Sequence, residues 1–294
     1  MRPELEKDLF RVVDNNTPKD VKENPLFNLN DKNEFEFRLT KELVKKYKLR
    51  EWFNNYKKEA LVSTGGIRGP QNILYPWDTR FPINQMGVAL ATLGKALVAN
   101  KKNVNKKIQK LSTCEVRYNS KLYVELIARI QAANNIYTYV PEKFRTSSIW
   151  MSSFLIFMLD LYGGEYVTSS HAVSTKIATK DLNTEGSQYV PKESLEFINM
   201  VDKILKKAEK KEFIIKFSKK NDKRINFDFY NNINDGVDLY CDYLKSGVAT
   251  KRNIKFIKNH KGKIIIECVG GCMYNMISKI FKKFKIYDNY EFFK

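Results

Sequence analysis

The sequence predicts an α/β protein, with a three-layer α/β/α domain around a mainly parallel or mixed sheet, followed by an incomplete second α/β domain. As far as residue 210, apolar segments of strand length alternate with amphipathic segments of helical length. Such alternation is typical of sheets whose strands are joined by crossover helices. After residue 234 there is one further pattern of strand, glycine turn and helix, too little to cover both faces of a sheet.

The spacing of apolar residues predicts each element, since strands repeat every two residues and helices every three or four. Helices are predicted at residues 40–56, 83–99, 121–133, 147–161, 192–210, 237–244 and 273–283, and strands at 112–117, 136–140, 164–168 and 263–268. A glycine-rich turn, residues 63–69, precedes the long helix 83–99. A polar loop, residues 169–181, follows the strand 164–168.

These elements divide the 294 residues into four predicted segments. Residues 1–56 are an N-terminal extension and helix, 57–205 the α/β/α domain, 206–233 a basic linker, and 234–294 a partial second domain. The most apolar run, residues 149–159, is about half the length that spans a bilayer, so it predicts a buried helix. The N-terminus lacks a signal-peptide pattern, and we expect a soluble, cytoplasmic protein without a membrane partner.

The formal net charge of +19 raises the question of a nucleic-acid partner. The basic residues are mostly lysine, spread along the chain with dense runs at 206–211, 219–224 and 251–263. Because lysine does not read bases in the planar bidentate manner of arginine, a solvated lysine coat is favoured over a nucleic-acid surface. Such a field would still attract an anionic substrate.

The four cysteines are expected to be reduced thiols in a chain without a signal peptide. Cys268 and Cys272 form a CxxxC pair, but there is no second pair and the chain has only two histidines. A zinc site needs about four ligands. Zinc binding is therefore not predicted.

Three predicted turns place small or charged residues at strand ends, where ligands bind in open α/β sheets. The first turn, residues 64–69, contains Gly65 and Gly66, whose backbone amides can approach an anion closely. Arg68 in the same turn could clamp phosphate oxygens. Taken alone, a Gly-Gly turn beside an arginine is more often just a turn.

The second turn follows the strand 164–168 and contains Ser170 and His171. A serine on a tight loop beside a histidine is a candidate nucleophile, although a polar turn or helix cap would look the same. Lys176 and Lys180 lie on the same loop and could hold a negatively charged group near the serine. The third turn, residues 115–120, reads Glu-Val-Arg-Tyr-Asn-Ser at a strand end before a helix cap.

The ordered set of motifs resembles the first domain of the α-D-phosphohexomutase superfamily, which comprises phosphoglucomutases and phosphomannomutases. The set consists of Gly-Gly-Ile-Arg-Gly, acid-x-Arg-x-x-Ser, and Gly-Gly with a strand and Thr-x-Ser-His. The resemblance covers residues 57–205 and, more faintly, 235–290. It implies an isomerase of carbohydrate metabolism, an intramolecular phosphotransferase that uses a phosphoserine to move phosphate between the 1 and 6 positions of a hexose.

By this resemblance, Ser170 falls on the serine that carries the phosphoryl group, with His171 in its usual place behind it. Arg68 falls on the arginine of the first active-site loop, and Lys180 on the lysine that closes the serine loop. The phosphate on Ser170 would also be a ligand of Mg²⁺, the cofactor expected for the complete enzyme type. Hexose phosphates are the implied substrates, without a choice between glucose and mannose.

Arg117 and Ser120 fall on a family motif that mainly holds the fold together near the site. Glu115 replaces the usual aspartate of that motif. Ala172-Val173 stand where the family usually has Asn-Pro, and Ile177-Ala178 where Asn-Gly is expected. These departures indicate a divergent branch.

The sequence also lacks the Asp-x-Asp-x-Asp-Arg loop that supplies the other Mg²⁺ ligands in the family, as well as the sugar and phosphate loops of its last two domains. The resemblance therefore implies an incomplete N-terminal portion or a split enzyme completed by a separate chain. A non-catalytic sugar-phosphate-binding or regulatory fragment is the main alternative. A basic nucleic-acid-binding protein is a weaker one.

Overall fold

The computed structural model describes residues 17–24, 26–27, 33–62, 66–104, 106–141, 146–226, 233–268 and 271–293. The helices are α1 (Lys19–Lys22), α2 (Lys41–Lys46), α3 (Leu49–Val62), α4 (Gln85–Lys102), α5 (Ser120–Ala133), α6 (Ile149–Met158), α7 (Pro191–Lys210), α8 (Ile233–Ser246), α9 (Lys251–Lys258) and α10 (Tyr274–Lys283). The strands are β1 (Phe35–Thr40), β2 (Ile67–Pro70), β3 (Ile108–Cys114), β4 (Ile136–Tyr139), β5 (Gly164–Val167), β6 (Lys176–Leu182), β7 (Glu212–Phe217), β8 (Ile225–Asn226), β9 (Ile264–Glu267) and β10 (Tyr290–Phe293).

Six strands form the central sheet, in the order β2-β6-β5-β3-β4-β8. Strands β5, β3, β4 and β8 are parallel, whereas β6 runs antiparallel to both of its neighbours, β5 and β2. Helices flank the sheet on both faces. The predicted α/β fold with a mixed central sheet between helical layers is thereby confirmed.

Two apolar clusters cover the two faces of the sheet. The larger cluster joins α3, α4, α5 and α7, with Leu90 and Val201 among its buried residues. The other packs α6 against Leu111 and Tyr166 of the sheet, and it includes Met276 of α10. The C-terminal elements therefore share a core with the α6 face of the sheet.

The C-terminal unit contains more structure than its sequence predicts. The expected strand and helix are present as β9 and α10, and the expected helix near residue 240 is α8. In addition, β10 pairs in parallel with β9, and α9 lies between α8 and β9 in the chain. Because residues 251–258 are mostly polar, the spacing of apolar residues did not predict α9.

The prediction of one helix over residues 40–56 is wrong, because two helices occupy this region. Thr40 ends β1 and caps α2, its Oγ1 accepting a hydrogen bond from the Leu43 N–H (3.4 Å). Lys48 adopts a left-handed conformation, φ +48°, between α2 and α3. A helix does not continue through such a residue, and α3 then extends to Val62.

The predicted polar loop over residues 169–181 is also wrong in its second half, because residues 176–182 form β6. This strand pairs with β5 on one side and β2 on the other, so both neighbours satisfy its backbone groups. The end of the predicted turn 63–69 is also a strand, because β2 begins at Ile67. Residues 63–65 lie outside the described residues.

Smaller offsets affect two other elements. The predicted strand 112–117 is β3, which ends at Cys114 and leaves Arg117 in the following turn. The predicted helix 83–99 starts after Asn84, whose Oδ1 accepts a hydrogen bond from the Gly87 N–H (2.8 Å).

The segment 206–233, predicted to be a basic linker, contains the end of α7 and two strands. Strand β7 pairs with β1, and β8 joins the central sheet. The domain boundaries themselves stay predictions.

Within the described ranges, no helix is long and apolar enough to cross a membrane. All four cysteines are free thiols.

A buried ion cluster connects α4 to the sheet. Lys95 Nζ donates hydrogen bonds to Asp181 Oδ1 (2.6 Å) and to Glu165, and all three side chains are at most 3% exposed. Glu165 and Asp181 are cross-strand neighbours on β5 and β6. Burial raises the pKa of Asp181, whereas the two carboxylates raise the pKa of Lys95 against the effect of burial. A single ammonium therefore hydrogen-bonds to two adjacent buried carboxylates and offsets part of their negative charge.

Lys95→Met removes this cation, and we expect the free energy of unfolding to fall by about 3–5 kcal/mol near neutral pH. Urea denaturation measures the loss. Because the two carboxylates can then take up protons, the loss should shrink as the pH is lowered. Lys101→Met, at an exposed position of the same helix, should change stability by less than about 0.5 kcal/mol. A loss of the same size at every pH would contradict this account.

Candidate functional site

The predicted site residues lie at one edge of the central sheet. The parallel strands β2, β3 and β5 end there, and β6 begins there. Residues 168–175, here called the serine loop, connect β5 to β6. The Gln71 N–H, just after β2, donates to the Thr175 carbonyl (3.0 Å) and ties the serine loop to the edge strand.

Of the two adjacent serines at the start of the serine loop, only Ser170 is exposed. Ser169 is buried, with 0% exposure, whereas Ser170 is exposed. Ser170 has a left-handed backbone, φ +55°, and its N–H donates to Thr168 Oγ1 (3.0 Å). Its Oγ lies 3.1 Å from Nδ1 of the exposed His171, within hydrogen-bond distance. The loop therefore presents the Ser170 hydroxyl outward beside an imidazole.

Arg117, in the turn after β3, holds the serine loop from inside; we call this arrangement the Arg117 clamp. Its Nη1 and Nη2 atoms donate hydrogen bonds to four carbonyl oxygens of the loop and the start of β6: Ser170 (2.6 Å), Ala172 (2.6 Å), Val173 (2.8 Å) and Lys176 (3.0 Å). Hydrogen bonds from a charged donor are stronger than neutral ones. One guanidinium thus ties three carbonyls of the serine loop to the first carbonyl of β6.

Glu115 completes the Arg117 clamp. Its Oε1 accepts a hydrogen bond from Arg117 Nε (2.6 Å) and another from the Ser169 N–H (3.0 Å). The side chains of Arg117 and Glu115 are only 11% and 15% exposed. The sequence placed both residues in a motif that supports the fold, but it did not predict that they hydrogen-bond to the serine loop itself.

Arg68, Lys176 and Lys180 project from the same face of the sheet. Lys176, Ala178 and Lys180 occupy alternate positions of β6, and Arg68 pairs with Ala178. Side chains two apart on a strand share a face, as do directly opposed residues. Burial lowers the pKa of Lys180, the charge of Arg68 lowers it further, and Glu115 opposes the shift. The structure therefore brings the predicted cations together beside the serine loop.

Gly66 has a packing role that the sequence did not suggest. Its φ is +107°, and a Cβ atom at this position would lie 1.7 Å from the Thr179 carbonyl oxygen. A side chain here would push β2 away from β6 and move Arg68 with it. Gly65, the other predicted phosphate-binding glycine, lies outside the described residues.

Asn119 is a second structural residue that sequence reasoning missed. It occupies the N-cap of α5 with φ +62°, a conformation that asparagine tolerates better than most residues. Its Nδ2 donates to Gln71 Oε1 (3.0 Å) and to the Ile73 carbonyl (3.1 Å). The neighbouring Ser120 Oγ is buried and makes no hydrogen bond within the described residues. Asn119 thus ties the third turn to the end of β2.

The C-terminal unit reaches the same face of the sheet through Cys272. The Tyr166 hydroxyl donates to the Ser147 carbonyl (2.7 Å) and lies 3.7 Å from Cys272 Sγ. Tyr166 is the cross-strand partner of Lys180. Burial raises the pKa of the Cys272 thiol, so the thiol is neutral at physiological pH.

The described residues do not fit a Mg²⁺ site. Among them, no group of three His, Cys, Asp or Glu side chains is arranged to hold a metal ion. The Glu115 carboxylate, which does reach the serine loop, is engaged by Arg117 and the Ser169 N–H. Mg²⁺ prefers oxygen ligands, and groups other than these described side chains would have to supply them.

No family model matches the sequence, and no curated protein sequence matches it. Solved structures do match. A Thermus thermophilus protein described as a phosphomannomutase has a TM-score of 0.55 at 11% identity, over 79% of this chain and 45% of its own length. Parafusin, a phosphoglucomutase from Paramecium in its open form, has a TM-score of 0.49 at 16% identity, over 78% of this chain and 42% of its own.

A phosphoglucomutase/phosphomannomutase family protein from Burkholderia thailandensis has a TM-score of 0.43 at 12% identity, over 80% of this chain and 43% of its own. At 11% identity, the Thermus match shows the fold. The described part of this chain thus shares its α/β architecture with a phosphomannomutase structure. The chain spans 45% of the length of that structure.

Arg117→Ala should loosen the serine loop without unfolding the sheet. We expect amides of residues 169–176 to exchange hydrogen at least about tenfold faster, because the lost charged hydrogen bonds contribute about 1.5–3 kcal/mol each. Hydrogen–deuterium exchange with mass spectrometry measures this. Arg38→Ala, which removes an exposed arginine paired with Glu212, is the matched control. Unchanged protection of residues 169–176 would contradict the Arg117 clamp.

Proposed function

We propose that this chain is the N-terminal portion of a phosphohexomutase-type enzyme, with Ser170 as its phosphoryl carrier. The observation that carries the proposal is the exposed Ser170 hydroxyl on a loop held by Arg117, beside a face that bears Arg68 and Lys180. The α/β architecture shared with a phosphomannomutase structure supports it. We propose a hexose phosphate as the substrate and the cytoplasm as the location.

Phosphoryl transfer at this site would begin from a hexose bisphosphate. The bond between Ser170 Oγ and phosphorus forms while the bond between phosphorus and the sugar oxygen breaks. His171 Nδ1, 3.1 Å from Oγ, would accept the hydroxyl proton, and the departing sugar oxygen would take up a proton in turn. The product is a hexose monophosphate that keeps its other phosphate. The cycle closes when phosphorylated Ser170 gives its phosphoryl group to the free hydroxyl of a hexose phosphate that carries its phosphate at the other position, which regenerates the bisphosphate.

The chain's cations would act on the charge of the transferred group. Transition states of phosphoryl transfer are loose, and catalysis depends on positioning and charge stabilisation. Arg68 would clamp phosphoryl oxygens, and Lys176 and Lys180 would add point charges on the same face. The lowered pKa of Lys180 eases its deprotonation, so it could also give a proton to the departing oxygen.

Mg²⁺, expected for the complete enzyme type, would stabilise the negative charge of the phosphoryl group. The described residues do not fit a Mg²⁺ site. We therefore propose that Ser170 accepts phosphate, while full mutase turnover requires loops that this sequence lacks, from further residues or a separate chain.

A non-catalytic sugar-phosphate-binding module is the second candidate. It is favoured by the absence of an Asp-x-Asp-x-Asp-Arg loop from the sequence. In that case the cationic face would bind a hexose phosphate while Ser170 stays unmodified. The two candidates differ in one observable, the phosphorylation of Ser170.

Incubation with glucose 1,6-bisphosphate should phosphorylate Ser170, and peptide mass spectrometry locates the modification. Ser170→Ala should abolish it, because the neighbouring Ser169 is buried. Ser174→Ala, an exposed position on the same loop, should leave it unchanged. Arg68→Gln should reduce the initial rate at least about tenfold, the effect of losing about 1.4 kcal/mol of transition-state stabilisation. Unmodified Ser170 with saturable binding of the bisphosphate would favour the binding module instead.

A further inference from the structure

Residues 251–263, here called the basic segment, form α9 and the turn that leads into β9. The basic segment contains six lysine or arginine side chains and no carboxylate. All six are exposed, and within the described residues none of them forms an ion pair. Positive charge is therefore concentrated on this surface without a counter-charge from the described part of the chain.

The other two dense lysine runs, which precede the basic segment in the chain, include charges that are paired. Lys206 of the first run pairs with Asp202 (2.6 Å). Arg224 of the second run pairs with Asp222 (2.7 Å). These runs fit the solvated lysine coat expected from the sequence, because carboxylates offset part of their charge. The basic segment differs from them in having no such partner.

Helix α9 carries apolar side chains on two different sides. Ile254 and Ile257 are half-buried, and the Asn289 Nδ2–H donates to the Ile257 carbonyl (3.1 Å), so this side faces the C-terminal unit. Phe256 is 75% exposed. It follows Arg252 by four residues, and residues four apart lie on the same side of a helix. The outward side of α9 therefore presents an aromatic ring among cations.

We propose that the basic segment binds the surface of a bilayer that contains anionic phospholipid. Clusters of about four to eight lysines or arginines on an amphipathic helix are typical of such binding, and each contributes about 1 kcal/mol near the lipid surface. The Phe256 ring would insert at the boundary between headgroups and acyl chains. Binding at the surface needs neither a spanning helix nor a signal peptide, on which the expectation of no membrane partner was based. It is also independent of phosphoryl transfer to Ser170.

The composition of the basic segment favours lipid over nucleic acid. Proteins that bind single strands stack successive bases on several aromatic side chains, whereas Phe256 is the one Phe, Tyr or Trp of the basic segment. Five of its six cations are lysines, which act as point charges and do not read bases in a bidentate manner. Point charges around a single apolar side chain match a charged, fluid lipid surface.

The test is co-sedimentation of the full chain with vesicles of phosphatidylcholine that contain about 30% phosphatidylserine. We expect saturable binding that weakens at least about tenfold in the double variant Lys255→Ala/Lys258→Ala. The matched control is Lys207→Ala/Lys210→Ala, which removes two exposed lysines with the same spacing from the last turn of α7. The control should bind as the unmodified chain does, although both double variants lower the net charge equally.

Two further measurements separate insertion from charge and lipid from nucleic acid. Phe256→Ala should weaken binding to the same vesicles at least about threefold, because the apolar contact with the acyl boundary is lost. Duplex DNA at an equal concentration of phosphate groups should leave the chain on the vesicles. The proposal would be overturned by equal weakening in both lysine pairs, unchanged binding of Phe256→Ala, equal binding to pure phosphatidylcholine, or displacement by the DNA. None of these results bears on the phosphorylation of Ser170.

Discussion

The candidate site depends on one guanidinium that binds four backbone carbonyls of the serine loop and the start of β6. The serine loop joins β5 to the antiparallel β6, and its residues belong to neither strand. Arg117 donates hydrogen bonds to three carbonyls of the loop and to the first carbonyl of β6. Glu115 accepts hydrogen bonds from Arg117 and from the Ser169 N–H. Left-handed backbone at a non-glycine residue costs about 1–3 kcal/mol. The Arg117 hydrogen bond to the Ser170 carbonyl and the Ser170 N–H hydrogen bond to Thr168 Oγ1 both act against that cost.

The helices and parallel strands could be predicted because their apolar spacing reflects burial within each segment. β6 could not, since its sequence Lys-Ile-Ala-Thr-Lys-Asp-Leu lacks apolar alternation and its extended form depends on pairing on both sides. The break at Lys48 was equally hidden, because no glycine or proline marks it. In each case the deciding contact lies with another strand or in one backbone angle, not in local composition.

Much of the candidate site followed from the order of its motifs, but its geometry did not. Ser170 and Arg68 were identifiable from sequence, whereas the shared face of Arg68 and Lys180 exists only because β6 is a strand. Arg117 contacts carbonyls 53 to 59 residues away along the chain, a separation that no local pattern reveals.

The central claim is that a phosphate on Ser170 lies within the field of Arg68 and Lys180. The most direct measurement is a ³¹P NMR titration of the chain phosphorylated at Ser170. The second pKa of a free phosphoserine is about 6. Nearby cations favour the dianion, so the account predicts a lower pKa in the folded chain, which returns toward the free value in Arg68→Gln. A second pKa equal to that of the same phosphoserine in a short peptide would contradict the claim.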